Sequence, residues 1–219
     1  MFYALELTQR GYVTFTIDLW AFEKRQQPPQ EERRKRLDGS WYERFVATAL
    51  FLQGQTLKGR YVWDLHRALD FLAEQVGEGE ARLGAIGHSL GGQTTLDIML
   101  FDKRIAAGVC SCGISTWDTI LRDQVNHNMA AYAPGSLRIA DTDDIVAALA
   151  PRAFFMSSGT EDYIFPIDGV QQIGQRAAEG YAAAGVPERF CQRIFPGGHG
   201  FPAEIREEAY AWLDRWLLA

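Results

Sequence analysis

"IGHSLGGQTT", from Ile86 to Thr95, sets one serine between two glycines, directly after a short apolar run and directly before a helix-like pattern. Gly87-His88-Ser89-Leu90-Gly91 fits G-x-S-x-G, a pattern whose meaning depends on a strand ending at Gly87 and a helix opening at Leu90. In such a turn the backbone lifts the serine hydroxyl clear of the sheet. Side chains at the flanking positions would collide, so glycine is needed there. The first turn of the helix presents unpaired N–H groups, and the Leu90 amide can meet a developing oxyanion with the helix dipole behind it. The competing reading is Ser89 as an ordinary N-cap beside packing glycines.

Outward from this turn, strand and helix alternate. "YVTFTID" (Tyr12 to Asp18), "RLGAIG" (Arg82 to Gly87), "IAAGVCSC" (Ile105 to Cys112), "RAFFMSS" (Arg152 to Ser158) and "RFCQRIF" (Arg189 to Phe195) are short, largely apolar and bounded by Gly, Pro or polar residues, and they read as strands. Between and after them, "VWDLHRALDFLAEQ", "LGGQTTLDIMLF", "DDIVAALA", "IDGVQQIGQRAAEGYAAAG" and "AEIREEAYAWLDRWLL" carry helical spacing. The strands are too uniformly apolar to have a wet face. The expected fold class is therefore α/β, a predominantly parallel sheet with helices on both faces, in which ligands sit beyond the carboxyl ends of the strands. Two stretches break the rhythm. Leu19 to Ser40, with "QQPPQEERRKR", reads as a solvated excursion, and residues 113–142, with Trp117, Met129, Tyr132 and Pro134, read as a possible lid.

The chain has 219 residues, 47% apolar and 23% charged, enough for one sizeable core, and a single domain over 1–219 is the default expectation. A net charge of −6 removes the electrostatic basis for binding nucleic acid or anionic lipid, so a small molecule or another protein is the expected partner. No apolar run approaches the roughly 18 residues that span a bilayer, and "MFYALELTQRGY" lacks the layout of a signal peptide, so the visible chain reads as cytoplasmic. Cys110 and Cys112 sit two apart in an apolar run, where a strand would point both to one face; buried free thiols are expected. "GQTLKGR" lacks the Lys-Ser/Thr end of a P-loop, and "GEGEARLG" precedes a strand where a dinucleotide fingerprint should follow one. No metal or nucleotide cofactor is implied.

A serine hydroxyl is a poor nucleophile at neutral pH and needs a base, which itself needs an orienting group. Of the four histidines, His66 lies in a helical pattern, His88 is constrained within the turn, and His127 belongs to the irregular stretch. His199 lies in "FPGGHGFP", directly after the last strand. For the acid, "SSGTEDYIFP" places Asp162 on the loop after "RAFFMSS", with Glu161 as its rival. Trp20, Trp117, Tyr163, Phe165 and Phe201 fall on loops expected near the same end, where they could line an apolar pocket or equally serve as core or lid packing.

The order Ser89, Asp162, His199 is that of the α/β-hydrolases. With "GHSLGG", "GTEDYIFP", "GGHGF", "RGYVTFTIDLWAF" and "GRYVWDLHRALDFL", the chain resembles that superfamily over nearly its whole length, and is similar to its dienelactone hydrolase-like and acetyl xylan esterase-like branch. The resemblance implies a serine hydrolase cleaving a small carboxylic ester through an acyl-enzyme. Dienelactone hydrolases use cysteine where this chain has Ser89, which favours ordinary ester cleavage. A prolyl-oligopeptidase-type peptidase, an acyltransferase and a non-catalytic binding fold remain the alternatives.

The family ordinarily begins with three strands before the helix that corresponds to "FYALELTQR". The resemblance thus implies an amino-terminally truncated domain in which Tyr12 to Asp18 is the fourth strand and the third has no counterpart. The edges of Tyr12 to Asp18 and Arg82 to Gly87 are then expected to pair directly or stay unpaired. The family's second oxyanion donor follows that third strand, which leaves the Leu90 amide as the assignable one. A short variant that closes the sheet and finds a donor elsewhere is the alternative.

Overall fold

β2 (Ile105–Ser111) and β3 (Ala153–Gly159) are the two most uniformly buried strands, and they lie in the middle of a parallel sheet of order β1-β2-β3-β4. β1 (Leu83–His88) and β4 (Phe190–Phe195) flank them and are correspondingly less buried. This is the pattern that continuous apolar runs dictate, because only strands covered on both faces can be apolar at every position. In this computed structural model the described residues are 3–22, 25, 39–77 and 82–218. They fall into two compact units, residues 1–79 with 127–134 and residues 80–126 with 135–219. The sheet belongs to the second.

The sheet register shows that helices cover both faces. Gly84 pairs with Ala107, and Gly108 is the next residue of β2, so Gly84 and Gly108 turn to opposite faces. A Cβ on Gly84 would run into Leu217 and touch Leu213, near the carboxyl end of the chain, whereas one on Gly108 would run into Met99. Met99 lies in α4 (Leu90–Phe101), and Leu213 ends α8 (Ala203–Leu213), which passes into a π-helical turn, Asp214–Leu218. Glycine on the sheet lets each helix approach closely. Val170, Ile173, Ala177 and Tyr181 form the buried stripe of a further helix, Ile167–Ala183, which packs on β3 and β4.

In the first unit, a short helix (Tyr3–Gln9) is followed by Gly39–Leu52 and Leu57–Val76. The Gly39–Leu52 helix is absent from the expected elements, although Tyr42, Val46, Ala47 and Leu50 are buried at helical spacing. The Leu57–Val76 helix opens on Thr56, whose hydroxyl accepts the Gly59 amide at 3.0 Å.

The expected strand at residues 12–18 is corrected: these residues form no strand, and β1 pairs only with β2 among the described residues. Apolar alternation does not make a strand without a ladder of hydrogen bonds, and Val13 and Phe15 stay 65% and 43% exposed. The Pro pair and charge run of 26–36 lie outside the described residues. Residues 113–142 hold a helix (Trp117–Arg122) and two 3₁₀ turns, Met129–Ala131 and Ser136–Arg138. No described helix is long and apolar enough to cross a membrane.

Candidate active site

Parallel pairing brings the carboxyl ends of all four strands to one edge of the sheet, and the loops there hold the candidate residues. Ser89 stands between β1 and α4 with φ 57° and ψ −121°, a left-handed conformation that costs a non-glycine residue of order 1–3 kcal/mol. Its side chain makes no capping hydrogen bond, so the N-cap reading does not account for it. A Cβ at Gly87 would run into the Gly91 carbonyl, which is why the turn can be so tight. Leu90 is the first residue of α4, so its amide has no acceptor within the helix.

Asp162 follows β3 and His199 follows β4. His199 Nδ1 and Asp162 Oδ2 are 2.8 Å apart, with the Asp162 side chain fully buried and that of His199 19% exposed. The other carboxylate oxygen accepts the amides of Ile164 at 2.9 Å and Phe165 at 3.4 Å. Burial by itself would raise the Asp162 carboxyl, but the His199 hydrogen bond and these two amides outweigh it and hold it below the usual carboxylate range. The buried carboxylate thus stays ionised and fixes the ring, leaving Nε2 as the nitrogen available to a substrate or hydroxyl. Glu161 lies beside Asp162, but the contact to His199 is made by Asp162.

Two neighbours of the histidine emerge only in three dimensions. The His88 ring lies 4.9 Å from that of His199 and stacks on Phe201, and its Nδ1 is 3.2 Å from Ser111 Oγ. Burial, and next the nearby His199, lower the His88 pKa to about 4, so its imidazole is neutral at physiological pH. Cys112 is the second neighbour. β2 ends at Ser111 and Cys112 takes φ 44°, which breaks the alternation expected to put both thiols on one face. A Cβ on Gly92 in α4 would lie 2.9 Å from Cys110 Sγ, whereas Cys112 Sγ donates to the Gly200 carbonyl at 3.2 Å. Both are buried free thiols.

Cys112, Asp162 and His199 bring potential metal-ligating atoms within 4.8 Å of one another. Burial raises the Cys112 thiol to about 11, and the imidazole and carboxylate are engaged with each other.

Of the aromatic residues singled out in the sequence, Phe165 is buried and stacks on His199 at 5.9 Å, and Phe201 is buried against His88. Tyr163 is 82% exposed. Trp117 opens its short helix, where its amide donates to Asp141 at 2.8 Å. Trp20 belongs to the other unit, with its carbonyl accepting from Tyr61 Oη at 2.8 Å and the Arg60 guanidinium 5.0 Å from its ring.

No family model matches the chain. It is 28% identical over 216 residues to a Bacillus subtilis (strain 168) protein named "Putative hydrolase YtaP", covering 97% of this chain and 67% of that one. A structure described as a "putative acetyl xylan esterase" from Bacteroides fragilis NCTC 9343 superposes with a TM-score of 0.68 at 20% identity, over 88% of this chain and 49% of that one. A family 15 carbohydrate esterase, a glucuronoyl esterase from Caldicellulosiruptor kristjansonii, superposes with a TM-score of 0.59 at 18% identity, over 74% of this chain and 50% of that one. The chain therefore spans two thirds of the curated relative and about half of these solved structures.

Proposed function

We propose that this chain, an α/β-hydrolase by fold, is a serine hydrolase that cleaves a small carboxylic ester through an acyl-enzyme. The observation that carries this reading is a strained, uncapped Ser89 at the same sheet edge as a part-buried His199–Asp162 hydrogen bond of 2.8 Å. The names of the relatives, a hydrolase and two esterases, agree with ester chemistry.

Ser89 Oγ attacks the ester carbonyl carbon while His199 Nε2 takes the hydroxyl proton. Collapse of the tetrahedral intermediate breaks the carbon–alkoxy bond, and the alcohol leaves with that proton. Water then attacks the acyl-enzyme, giving a proton to Nε2, and the acid leaves as Ser89 recovers its hydrogen. Asp162 holds the ring in one tautomer and stabilises the imidazolium, and the Leu90 amide donates to the oxyanion.

Labelling with a fluorophosphonate followed by peptide mapping tests the assignment. The label is expected on the peptide holding Ser89 and absent from Ser89→Ala; equal labelling of both would remove Ser89 from the mechanism. Turnover of a chromogenic peptide without turnover of p-nitrophenyl acetate would replace the esterase reading by a peptidase.

A further inference from the structure

Three consecutive residues at the end of β2 touch both halves of the candidate site. The Ser111 carbonyl accepts the Ser89 amide at 2.8 Å. Gly113 packs so closely on the serine turn that a Cβ there would stand 2.8 Å from the Ser89 carbonyl oxygen and from Gly92 Cα. Between them, the Cys112 amide donates to the Ser157 carbonyl at 2.7 Å, in β3. Its thiol donates to the Gly200 carbonyl, one residue past His199, and its Sγ stands within 4.8 Å of ligating atoms of both Asp162 and His199. The proposed chemistry leaves this thiol unused.

Building on the serine-hydrolase reading, we propose that Cys112 is a positioning residue: it braces the Gly200 carbonyl and the Asp162–His199 pair against the turn that carries Ser89. The backbone supports this. Glycine would suit φ 44° better than cysteine does, yet a side chain is present, and glycine there would leave the Gly200 carbonyl without its donor. The chemistry of the group supports it too. A neutral thiol packs against a carboxylate without adding charge, and sulfur spans a longer contact than a hydroxyl. Because Ser111 and Gly113 hold the serine turn and Cys112 holds the histidine loop, one short peptide sets the spacing between nucleophile and base. Such spacing matters steeply, since a displacement of about 1 Å can cost of order 100-fold in rate.

The test compares Cys112→Ala, Cys112→Ser and Cys110→Ala in the full chain. Cys110 is an equally buried thiol two residues earlier, within β2, that faces α4, so it controls for packing. Cys112→Ala is expected to lower kcat for p-nitrophenyl acetate about ten-fold, with KM within about two-fold, and to move the acid limb of the pH profile. Cys112→Ser, which keeps a donor, is expected to recover most of the loss. Cys110→Ala is expected to lower Tm while leaving kcat and the profile in place. A wild-type kcat and profile in Cys112→Ala, or an equal fall in Cys110→Ala, would overturn the proposal.

The NMR resonance of the His199 Nδ1 proton supplies a second readout that needs no substrate. A shift in Cys112→Ser but not in Cys110→Ala is expected, and equal spectra would overturn the brace even if Cys112→Ala failed to fold. If the wild type neither turns over esters nor takes the fluorophosphonate, the hydrolase reading falls on its own, and this resonance still decides the contact.

Discussion

Ser89 occupies a backbone conformation that glycine would adopt at less cost, with no capping bond to offset the strain. Ser89→Gly is therefore expected to raise stability by about 1 kcal/mol net, strain relief being partly offset by the entropy of glycine, while abolishing labelling and turnover. Denaturant unfolding beside the labelling assay checks both halves, and a less stable Ser89→Gly would remove strain from the account. His88 supplies a pH dependence whose sign follows from its lowered pKa. Between its ordinary 6.5 and about 4, the unfolded chain takes up a proton that the folded chain refuses. The fold is thus at full stability above this window and loses it as pH falls through it. Asp162, held below its ordinary value, adds a further loss that begins below about pH 3.8 and is complete once its folded-state carboxylate protonates. Thermal melts at pH 7, 5.5 and 4.5 should show the fall, and His88→Asn should flatten it.

β1, α4 and the end of β2 form one tightly packed junction, and its tolerance for added atoms is small. A Cβ on Gly92 would meet Cys110 Sγ at 2.9 Å, and Gly113 Cα and the Ser111 carbonyl oxygen at 3.2 Å. Two of these three are backbone atoms that cannot swing aside, so overpacking outweighs the helix propensity gained by alanine. Gly92→Ala should cost about 1 kcal/mol or more and slow fluorophosphonate labelling; a rise in Tm would show that the junction is looser than its distances imply. The helix boundaries here were legible from the sequence. "LGGQTTLDIMLF" matches α4 residue for residue, because a glycine-flanked serine punctuates its start and the apolar pattern ends with it. Residues 12–18 have the pattern of a strand and form none, since periodicity reports which faces are apolar and not whether a hydrogen-bonding partner exists.

Over the whole molecule, the first unit presents apolar groups that an isolated domain would ordinarily cover. Val13 and Phe15 are exposed, the Phe15 and Phe71 rings stand 5.1 Å apart, and with Ile17, Asp18, Arg25, Asp64, Arg67 and Ala68 the two rings line a pocket of about 420 Å³. Exposed apolar side chains grouped on one surface favour association. The chain is expected to bind an apolar dye such as ANS and to sediment with a concentration-dependent size. The Val13→Lys, Phe15→Lys pair should reduce both without lowering turnover, and a monodisperse, dye-free wild type would contradict this.

Local chemistry sufficed for the α/β alternation and the serine turn, and for singling out Asp162 and His199 as candidates on loops after strands, because glycine, periodicity and loop position act over a few residues. The hydrogen bond between Asp162 and His199, the His88 ring against His199 and the thiol of Cys112 on Gly200 join residues 37, 111 and 88 positions apart. Such contacts exist only after parallel pairing has gathered the strand ends, and no spacing along the chain encodes a distance across the sheet.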